Sequence, residues 1–398
     1  MRLLHLICTT SSESGGPIEV ISRTSEVLLR KNFEITIASL ESSEEISDRG
    51  FPCAHIALGR GFGKYRYDPG FTRWIKQNAS RFDAAIIHGI WNYASFGAWR
   101  ALRRLDIPYF VFIHGMMDPW FRQANPLKHF AKQIYWFLIE GRVLRDARRI
   151  LFTCEEEMLR ARAVFQGHVY EEQVIHIGTA APSRDVSAQR ATFHSTFPFL
   201  KNKRFSLFLG RIHPKKGCDM LLRAFAECLE DLPEDKDLVF AGPDQIGWKE
   251  ELERLSTELD ISERVHWTGM LSGDLKWGAL HLADSLILPS HQENFGFVVA
   301  EAMACGTPVL VSDKINIWHE IVESESGFVE ADSLEGTIRL LRRFEALSPE
   351  SRAQMSRKAK IGFGRFFDIE STALDFARAI QALVTEGRPT GSAQCRIS

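Results

Sequence analysis

The chain has 398 residues, 45% of them hydrophobic, and a formal net charge of −2 at pH 7. This length is too great for one ordinary hydrophobic core, so we expect two domains of roughly 180 to 200 residues. The near balance of charges argues against a nucleic-acid-binding protein, and no apolar run reaches the ~20 residues that a transmembrane helix needs.

The start of the chain and the cysteines both favour a cytoplasmic protein. Residues 1–7 form a short apolar run that contains Arg2 and precedes polar residues, which predicts a first strand and not a signal peptide. The seven cysteines are scattered and include no C-x-x-C pair. That spacing predicts free thiols, with neither a zinc site nor a disulfide framework.

The first 40 residues predict a β-loop-α-β unit, which opens a doubly wound sheet. An apolar strand at 2–8 leads into a Ser/Thr-rich loop that ends in Gly15 and Gly16. A helix pattern follows to about Arg30, and then a strand at 33–39. The glycine pair allows close approach of the backbone to a phosphate, although the full G-x-G-x-x-G is absent.

Residues 42–72 are polar and read as irregular, with three glycines and a group of Arg, Lys and Tyr residues. A surface loop and a loop that determines ligand specificity are equally consistent with this composition.

Two predicted strands of the first domain end in His-Gly. Residues 83–87 precede His88, and residues 109–113 precede His114. Ligands of open α/β sheets bind at the carboxyl ends of the strands, so both histidines are candidates, the alternative being a hydrogen-bonded structural role. His114, within the sequence HGMMDPW, is the stronger candidate.

A long helical pattern at 126–150 interleaves basic residues with aromatic and aliphatic ones. It fits a helix on an anionic membrane surface, and it also fits a core-facing helix with a solvated basic side. After further strands at 150–153 and 173–177, the polar segment 183–203 predicts the linker between a first domain, 1–182, and a second, 204–365.

The second domain repeats the strand-loop-helix pattern, which implies a second parallel sheet. Its first strand, 205–209, is followed by GRIHPKKG and a helix from Cys218. In that loop Arg211 offers a bidentate phosphate ligand and Lys216 a compact charge. Helices at 333–344, 349–363 and 368–384 and a disordered tail, 386–398, complete the prediction.

The stretch 286–311, LILPSHQENFGFVVAEAMACGTPVLV, predicts a strand, a polar loop, a helix that begins near Gly296, and another strand. A helix N-terminus suits a phosphate, whereas the flanking Glu293 and Glu301 suit hydroxyl groups. A sugar nucleotide carries both kinds of group.

The E-x7-E pattern from Glu293 to Glu301, in the context ENFGFVVAEAMACGTPV, resembles the signature of retaining GT-B glycosyltransferases of family 4. The segments GRIHPKKG and HGMMDPW resemble, respectively, the diphosphate-binding segment of that family and an acceptor-domain segment of bacterial surface-polysaccharide glycosyltransferases. The resemblance implies an α/β GT-B protein whose two Rossmann-like domains face each other across a cleft, with the final helix crossing back to the first domain.

The resemblance also assigns roles. Glu293 would bind the hydroxyls of the donor sugar, Glu301 the ribose, and His114 would line the sugar pocket. The nucleotide sugar would contact the following positions: Gly15, Gly16, Gly242, Met270, Leu271, Asn294, Phe295, Gly296, Phe297 and Val298.

The expected reaction moves a hexose, with retention, from a UDP- or GDP-sugar to a saccharide acceptor, with a lipid-linked oligosaccharide preferred. Arg211, Lys216 and helix amides would stabilise the departing diphosphate. We identify no D-x-D metal-binding sequence, so we expect no metal and no cofactor. The expected location is the cytoplasm, with peripheral contact to the inner membrane face as an addition.

Two alternatives remain open from the sequence. One is another GT-B enzyme, such as a UDP-sugar 2-epimerase or a phosphorylase, and the other is a non-catalytic subunit that binds sugar nucleotides. Donor-dependent release of nucleoside diphosphate and analysis of the product would separate them.

Overall fold

The computed structural model describes residues 1–11, 16–46, 50–119, 122, 126–162, 164–182 and 185–386. The chain divides into two compact units. The first contains Met1–Ile177 together with the chain from Ile369 onward, and the second contains Gly178–Asp368.

The first unit is built on a seven-stranded sheet in the order β3-β2-β1-β4-β5-β6-β7, with every neighbouring pair parallel. Its strands are β1 (Arg2–Ile7), β2 (Glu34–Ser39), β3 (Ala54–Ala57), β4 (Ala84–His88), β5 (Tyr109–Phe112), β6 (Arg149–Phe152) and β7 (Glu172–Val174). Strands β4 and β5 are buried along their whole length, as their continuous apolar sequences require of central parallel strands.

The helices of the first unit connect these strands and cover the sheet. Their bounds are Gly16–Leu29, Ser43–Ile46, Pro69–Asn78, Tyr93–Leu102, Pro126–Tyr135, Gly141–Asp146, Glu155–Ala161 and Ile369–Thr385.

The second unit is built on a six-stranded parallel sheet in the order β10-β9-β8-β11-β12-β13. Its strands are β8 (Arg204–Leu209), β9 (Lys236–Ala241), β10 (Val265–Gly269), β11 (Ser285–Leu288), β12 (Val309–Ser312) and β13 (Gly327–Glu330). Its longer helices are Val186–Thr196, Cys218–Glu227, Lys249–Glu258, Gly273–Leu282, Phe297–Cys305, Trp318–Glu323, Leu334–Glu345 and Pro349–Phe366. Both sheets are doubly wound and parallel, which confirms the predicted α/β class with two Rossmann-like domains.

The region 42–72 is more regular than predicted. It contains the edge strand β3, which pairs with β2 through Thr36 and Ala54. It also contains the start of a helix, where the Asp68 side chain accepts a hydrogen bond from the N–H of Gly70 over 2.7 Å. A strand of four residues, exposed or half-buried throughout, leaves too little alternation for the sequence to reveal it.

The predicted helix 126–150 is interrupted and shorter. The helix Pro126–Tyr135 continues into a π-helical turn, Trp136–Glu140, and the helix Gly141–Asp146 ends before β6 begins at Arg149. The predicted helix extended into β6 because the apolar residues there fit the periodicity of a helix as well as that of a strand.

The predicted linker 183–203 contains a helix, Val186–Thr196, that packs within the second unit. It lies against the helix Gly273–Leu282, where a Cβ at Gly278 would come within 2.3 Å of the carbonyl oxygen of Gln189. The absence of a side chain at Gly278 allows this close packing. Residues 183 and 184 lie outside the described part of the chain.

The last helix, Ile369–Thr385, packs against Gly16–Leu29 in the first unit. Nη2 of Arg30 lies 2.5 Å from Oε1 of Glu370, and Nε of Arg148 donates to the carbonyl oxygen of Leu383 over 3.1 Å. Of the predicted disordered tail, 386–398, residues 387–398 lie outside the described residues. No helix within the described residues is both long enough and apolar enough to cross a membrane.

Candidate functional site

The candidate site lies at the carboxyl edge of the second sheet, where the strand order reverses. Strand β8 has β9 on one side and β11 on the other. The loops after β8 and β11, 210–217 and 289–296, therefore leave the sheet side by side. These loops carry GRIHPKKG and the first carboxylate of E-x7-E.

Two backbone contacts join these loops. Gly217 has a φ of 67°, and a Cβ added there would lie 2.6 Å from the carbonyl oxygen of Pro289. Only glycine tolerates both this conformation and this approach. In addition, the N–H of His291 donates to the carbonyl oxygen of Lys215 over 2.8 Å. The two loops therefore form one continuous surface.

The central side-chain contact of this surface joins Lys216 to Glu293, whose Oε2 accepts a hydrogen bond from Nζ of the lysine. The backbone of Glu293 is held by the loop after β12. Its N–H donates to the carbonyl oxygen of Lys314 over 3.1 Å, and its carbonyl oxygen accepts from the N–H of Asn316 over 3.2 Å. The two side chains remain 15% and 25% exposed, so a ligand can reach the pair.

The loop after β8 concentrates positive charge. The side chain of Arg211 is exposed and makes no hydrogen bond or ion pair within the described residues. Burial, followed by the charges of Lys215, Arg211 and Lys216, lowers the pKa of His213. His213 is therefore neutral at pH 7, and its Nδ1 accepts a hydrogen bond from the N–H of Lys215 over 3.1 Å. The lysines and the arginine supply the positive charge of this loop.

The helix Phe297–Cys305 begins beside the ion pair. Gly296 precedes it with a φ of 73°, and no side chain caps this helix within the described residues. A Cβ at Gly296 would lie 3.2 Å from Cγ of Glu293, which places the start of the helix against that carboxylate. Phe297 and Val298, in the first turn, are partly buried. A helix N-terminus offers N–H groups and a positive dipole end to an anion.

The two residues before Gly296 have different surroundings. Oδ1 of Asn294 accepts a hydrogen bond from Nδ2 of Asn316 over 3.2 Å. Phe295 is 4% exposed and packs edge-on against Phe297 and Phe367. Phe295 therefore anchors the loop in the core, and of this residue only the backbone is suited to meet a ligand.

Glu301 is 4% exposed and is paired with a residue that sequence reasoning missed. Nζ of Lys276, in the helix Gly273–Leu282, lies 2.9 Å from Oε1 of Glu301 and 4.6 Å from the centre of the Trp277 ring. The pair keeps a buried carboxylate compensated. No sequence signal links residues 25 positions apart on two separate helices, so only the fold reveals the pair.

Asn316 is the second residue that sequence reasoning missed. It belongs to the loop after β12, at the same edge of the sheet, and contacts both Glu293 and Asn294. Its position directly after a buried strand was the available signal.

The predicted nucleobase contacts also lie at this edge. Gly242 follows β9 with a φ of 151°, and a Cβ there would lie 1.8 Å from the carbonyl oxygen of Gly210. Met270, after β10, is 72% exposed, whereas Leu271 is 6% exposed. Leu271 is thus a core residue, and Met270 is the side chain that a base could meet.

The predicted site residues of the first unit follow strands of the seven-stranded sheet. Gly16 is exposed and begins the first helix, whereas Gly15 lies outside the described residues. His114 follows β5 with a φ of 50°, and the N–H of Gly115 donates to Oε1 of Glu157 over 2.5 Å. His88 is buried and lies between His114 and His5.

The expectation that the chain has no D-x-D sequence is wrong, since one is present outside the motif loops: Asp235-Lys236-Asp237. It lies at the amino end of β9, opposite the candidate site. Nζ of Lys236 lies 3.0 Å from carboxylate oxygens of Asp284 and Glu345, and Oδ2 of Asp237 lies 2.8 Å from Nε2 of His266. This sequence is therefore part of a buried ionic cluster.

Comparison with known proteins extends over both units. Residues 189–361 match the family "Glycosyl transferases group 1", and residues 15–178 match "Glycosyl transferase 4-like domain". The chain is 25% identical over 375 residues to the D-inositol 3-phosphate glycosyltransferase of Streptomyces avermitilis, covering 88% of this chain and 79% of the relative.

Solved structures share the fold at lower identity. Sucrose-phosphate synthase from Thermosynechococcus elongatus superposes with a TM-score of 0.74 at 18% identity, over 97% of this chain and all of the other. Anabaena Alr3699/HepE, solved in complex with UDP and glucose, gives a TM-score of 0.74 at 16% identity, over 96% of this chain and all of the other.

Two Rossmann-like units, together with matches to glycosyl transferase domains over both of them, identify a glycosyltransferase with the GT-B fold. More particularly, its second unit matches the group 1 glycosyl transferases and its first unit matches a glycosyl transferase 4-like domain.

Proposed function

We propose that this enzyme transfers a hexose, with retention of configuration, from a UDP- or GDP-sugar to a saccharide acceptor. The observation that carries the proposal is the Lys216–Glu293 pair beside the start of the helix Phe297–Cys305. A sugar diphosphate needs donors for its phosphate oxygens and acceptors for its hydroxyls, and this surface offers both. The resemblance of Glu293 and Glu301 to the family 4 signature supports the retaining outcome.

In this proposal the ion pair opens when the donor binds. The ammonium of Lys216 moves from the carboxylate to a phosphate oxygen, and the released carboxylate of Glu293 accepts hydrogen bonds from sugar hydroxyls. Arg211, exposed and unpaired within the described residues, joins the diphosphate without breaking another contact. Charge that develops on the leaving oxygen is then met by two cations and the helix amides.

The retaining step requires no covalent enzyme intermediate, because every bond and the proton are accounted for by donor and acceptor. The bond between the anomeric carbon and the leaving oxygen breaks, the acceptor oxygen bonds to the same face, and the departing phosphate takes the acceptor proton. The two-carboxylate route of glycosidases does not apply, because Glu293 and Glu301 are assigned to hydroxyl groups. His114 contacts the transferred sugar in this proposal, and no metal or cofactor is needed.

We propose a lipid-linked oligosaccharide of surface polysaccharide as the acceptor, and a cytoplasmic enzyme that docks on the membrane. One face of the segment 126–138 supports this. Five apolar side chains, spaced three, four, three and one residues apart, are 50 to 84% exposed there: Leu127, Phe130, Ile134, Phe137 and Leu138. We call these five the docking face. Their spacing puts them on one side of the helix.

The charges around the docking face suit anionic lipid. Arg122 and Lys128 are exposed, and residues 126–139 contain no Asp or Glu. Phe62, 84% exposed, lies in a turn connected to this helix by the hydrogen bond between the hydroxyls of Tyr65 and Tyr135. Apolar side chains with cations beside them are the pattern of helices that lie in a membrane interface.

The test of the transfer reaction is donor-dependent release of nucleoside diphosphate, measured with UDP-, GDP-, ADP- and TDP-hexoses. We expect release from one of them, and a loss of roughly 100-fold or more in Lys216→Met, by analogy with other preorganised charge donors. Lys215→Met removes the same charge from the same loop and is the matched control, expected to retain most of the turnover. Absence of release from every donor would contradict the proposed function.

A further inference from the structure

Three histidines of the first unit form a hydrogen-bonded chain across adjacent strands. His5 lies in β1, His88 ends β4 and His114 follows β5. Nδ1 of His5 is 2.8 Å from Nε2 of His88, and Nδ1 of His88 is 2.9 Å from Nε2 of His114. The rings are stacked, with centroids 5.1 and 5.2 Å apart.

All three rings are neutral at pH 7. Burial lowers the pKa of His5 to about 4 and that of His114 to about 3. Burial, followed by the neighbouring histidines, lowers the pKa of His88 well below its usual value. A neutral imidazole has one N–H and one lone pair, so each hydrogen bond needs a donor nitrogen opposite an acceptor nitrogen. The three tautomers must therefore all point in the same direction.

The two ends of the chain decide which direction that is. Within the described residues, Nε2 of His5 is buried without a hydrogen-bond partner. It borders a cavity of about 10 Å³ whose lining includes Thr24 and His176, near the lower limit for one water molecule. At the other end His114 is only partly buried, and its Nδ1 makes no hydrogen bond within the described residues.

Placing the proton on Nε2 of His5 would bury an N–H without an acceptor, which folded proteins rarely tolerate. Placing it on Nδ1 instead lets His5 donate to His88, and His88 donate to His114. The free nitrogen of His114, Nδ1, then carries a proton that a ligand oxygen can accept.

We infer that His5 and His88 are positioning residues that hold His114 as a neutral Nδ1–H donor. The hydroxyl or ring oxygen of a sugar is the chemical class that such a donor recognises. The inference rests on the proposed function in one respect, namely that His114 contacts the sugar. The tautomer itself does not depend on that assignment.

Nitrogen-15 labelling of histidine provides the first test. Two-bond 1H–15N spectra distinguish Nδ1–H from Nε2–H rings, and free histidine in water favours Nε2–H. We expect the Nδ1–H pattern for all three residues at pH 7.5, with the signals assigned by single substitutions. An Nε2–H pattern at His114 in the unsubstituted enzyme would overturn the inference, whatever the activity measurements show.

A near-isosteric pair of variants provides the second test. His5→Asn retains an N–H close to the position of Nδ1, whereas the carboxylate of His5→Asp offers only acceptor oxygens there. We expect His5→Asp to draw the proton of His88 to Nε2, to move His114 to Nε2–H, and to lower kcat/KM for the donor about fivefold, the worth of one lost hydrogen bond, with His5→Asn close to the unsubstituted enzyme. Equal losses in the two variants would show that His5 acts through packing alone, which contradicts a positioning role. If no donor yields nucleoside diphosphate, the proposed function is refuted. The spectra then test the tautomer of His114 by themselves.

Discussion

At the scale of single residues, buried ionisable groups show how the fold changes the chemistry of a side chain. Glu140 is completely buried in the π-helical turn, where the hydroxyl of Ser95 donates to its Oε1. Burial raises the pKa of Glu140 from 4.5 to about 7, and the hydrogen bond from Ser95 opposes that shift. Glu140 is therefore partly protonated at neutral pH, which no reading of its sequence neighbours would suggest.

We predict that ionisation of Glu140 destabilises the protein. Between pH 4.5 and about 7 the folded state keeps a proton that the unfolded state has released, so this residue makes stability fall as pH rises through that window. The total change is about 3 kcal/mol. Urea unfolding of the unsubstituted protein and of Glu140→Gln, from pH 5 to pH 8, measures it.

In that comparison Gln retains an acceptor for Ser95 and does not titrate. The difference in unfolding free energy between the two proteins should therefore grow in favour of Gln as pH rises. The buried histidines act in the opposite direction below their usual pKa, but they are common to both proteins and cancel. A difference that does not vary with pH would contradict the assignment.

At the scale of elements, the segment 126–146 shows that one periodic pattern can support two different surfaces. Its side chains divide between the core and the exterior, with Trp136 and Val143 buried and the docking face exposed. An exposed apolar face of this kind is unusual on a protein that has no partner for it. The π-helical turn interrupts the α-helix between the two halves of this segment.

We predict that the docking face binds anionic membranes. Phe130→Glu should weaken binding to phosphatidylglycerol vesicles about tenfold or more, since it removes an apolar side chain from the interface and adds a negative charge. Sedimentation with vesicles measures the binding, and phosphatidylcholine vesicles show how much of it depends on charge.

Ile361→Glu is the matched control, because Ile361 is 70% exposed on the second unit and Phe130 is 68% exposed on the first. The control should bind as the unsubstituted protein does. Equal binding by Phe130→Glu and the control would exclude the docking face as a membrane contact.

At the scale of the whole molecule, the chain does not fold strictly in sequence order. The last helix, Ile369–Thr385, belongs to the first unit, although the entire second unit separates the two in sequence. It buries one face there, which includes Phe376, Ile380 and Leu383. The first unit is therefore complete only after the second unit has been synthesised.

We predict that removal of residues 369–398 destabilises the first unit and leaves the second sheet intact. The expected result is faster hydrogen exchange in β1 to β7, because the first helix loses its apolar partner, with β8 to β13 nearly unchanged. Removal of residues 387–398 alone is the control and should alter neither sheet. Loss of protection in both sheets would show that the units do not unfold separately.

Much of the fold could be predicted from local pattern. Apolar runs closed by glycine and proline marked most strands, and the regular alternation with helices implied two parallel sheets. The predictions that failed concerned residues whose structure depends on partners distant in the sequence. The edge strand Ala54–Ala57 and the helix Val186–Thr196 are recognisable only from the elements that they pair with or pack on.

The sequence by itself determined the class of fold, the enzyme class and the loops at the sheet edge, because strand periodicity, glycine positions and the E-x7-E spacing are local. Only the tertiary structure decided which polar side chains meet: Lys216 with Glu293, Lys276 with Glu301, and His5 with His88 and His114. The reason is physical, since pairing and burial are set by distances in space between residues that the chain keeps far apart.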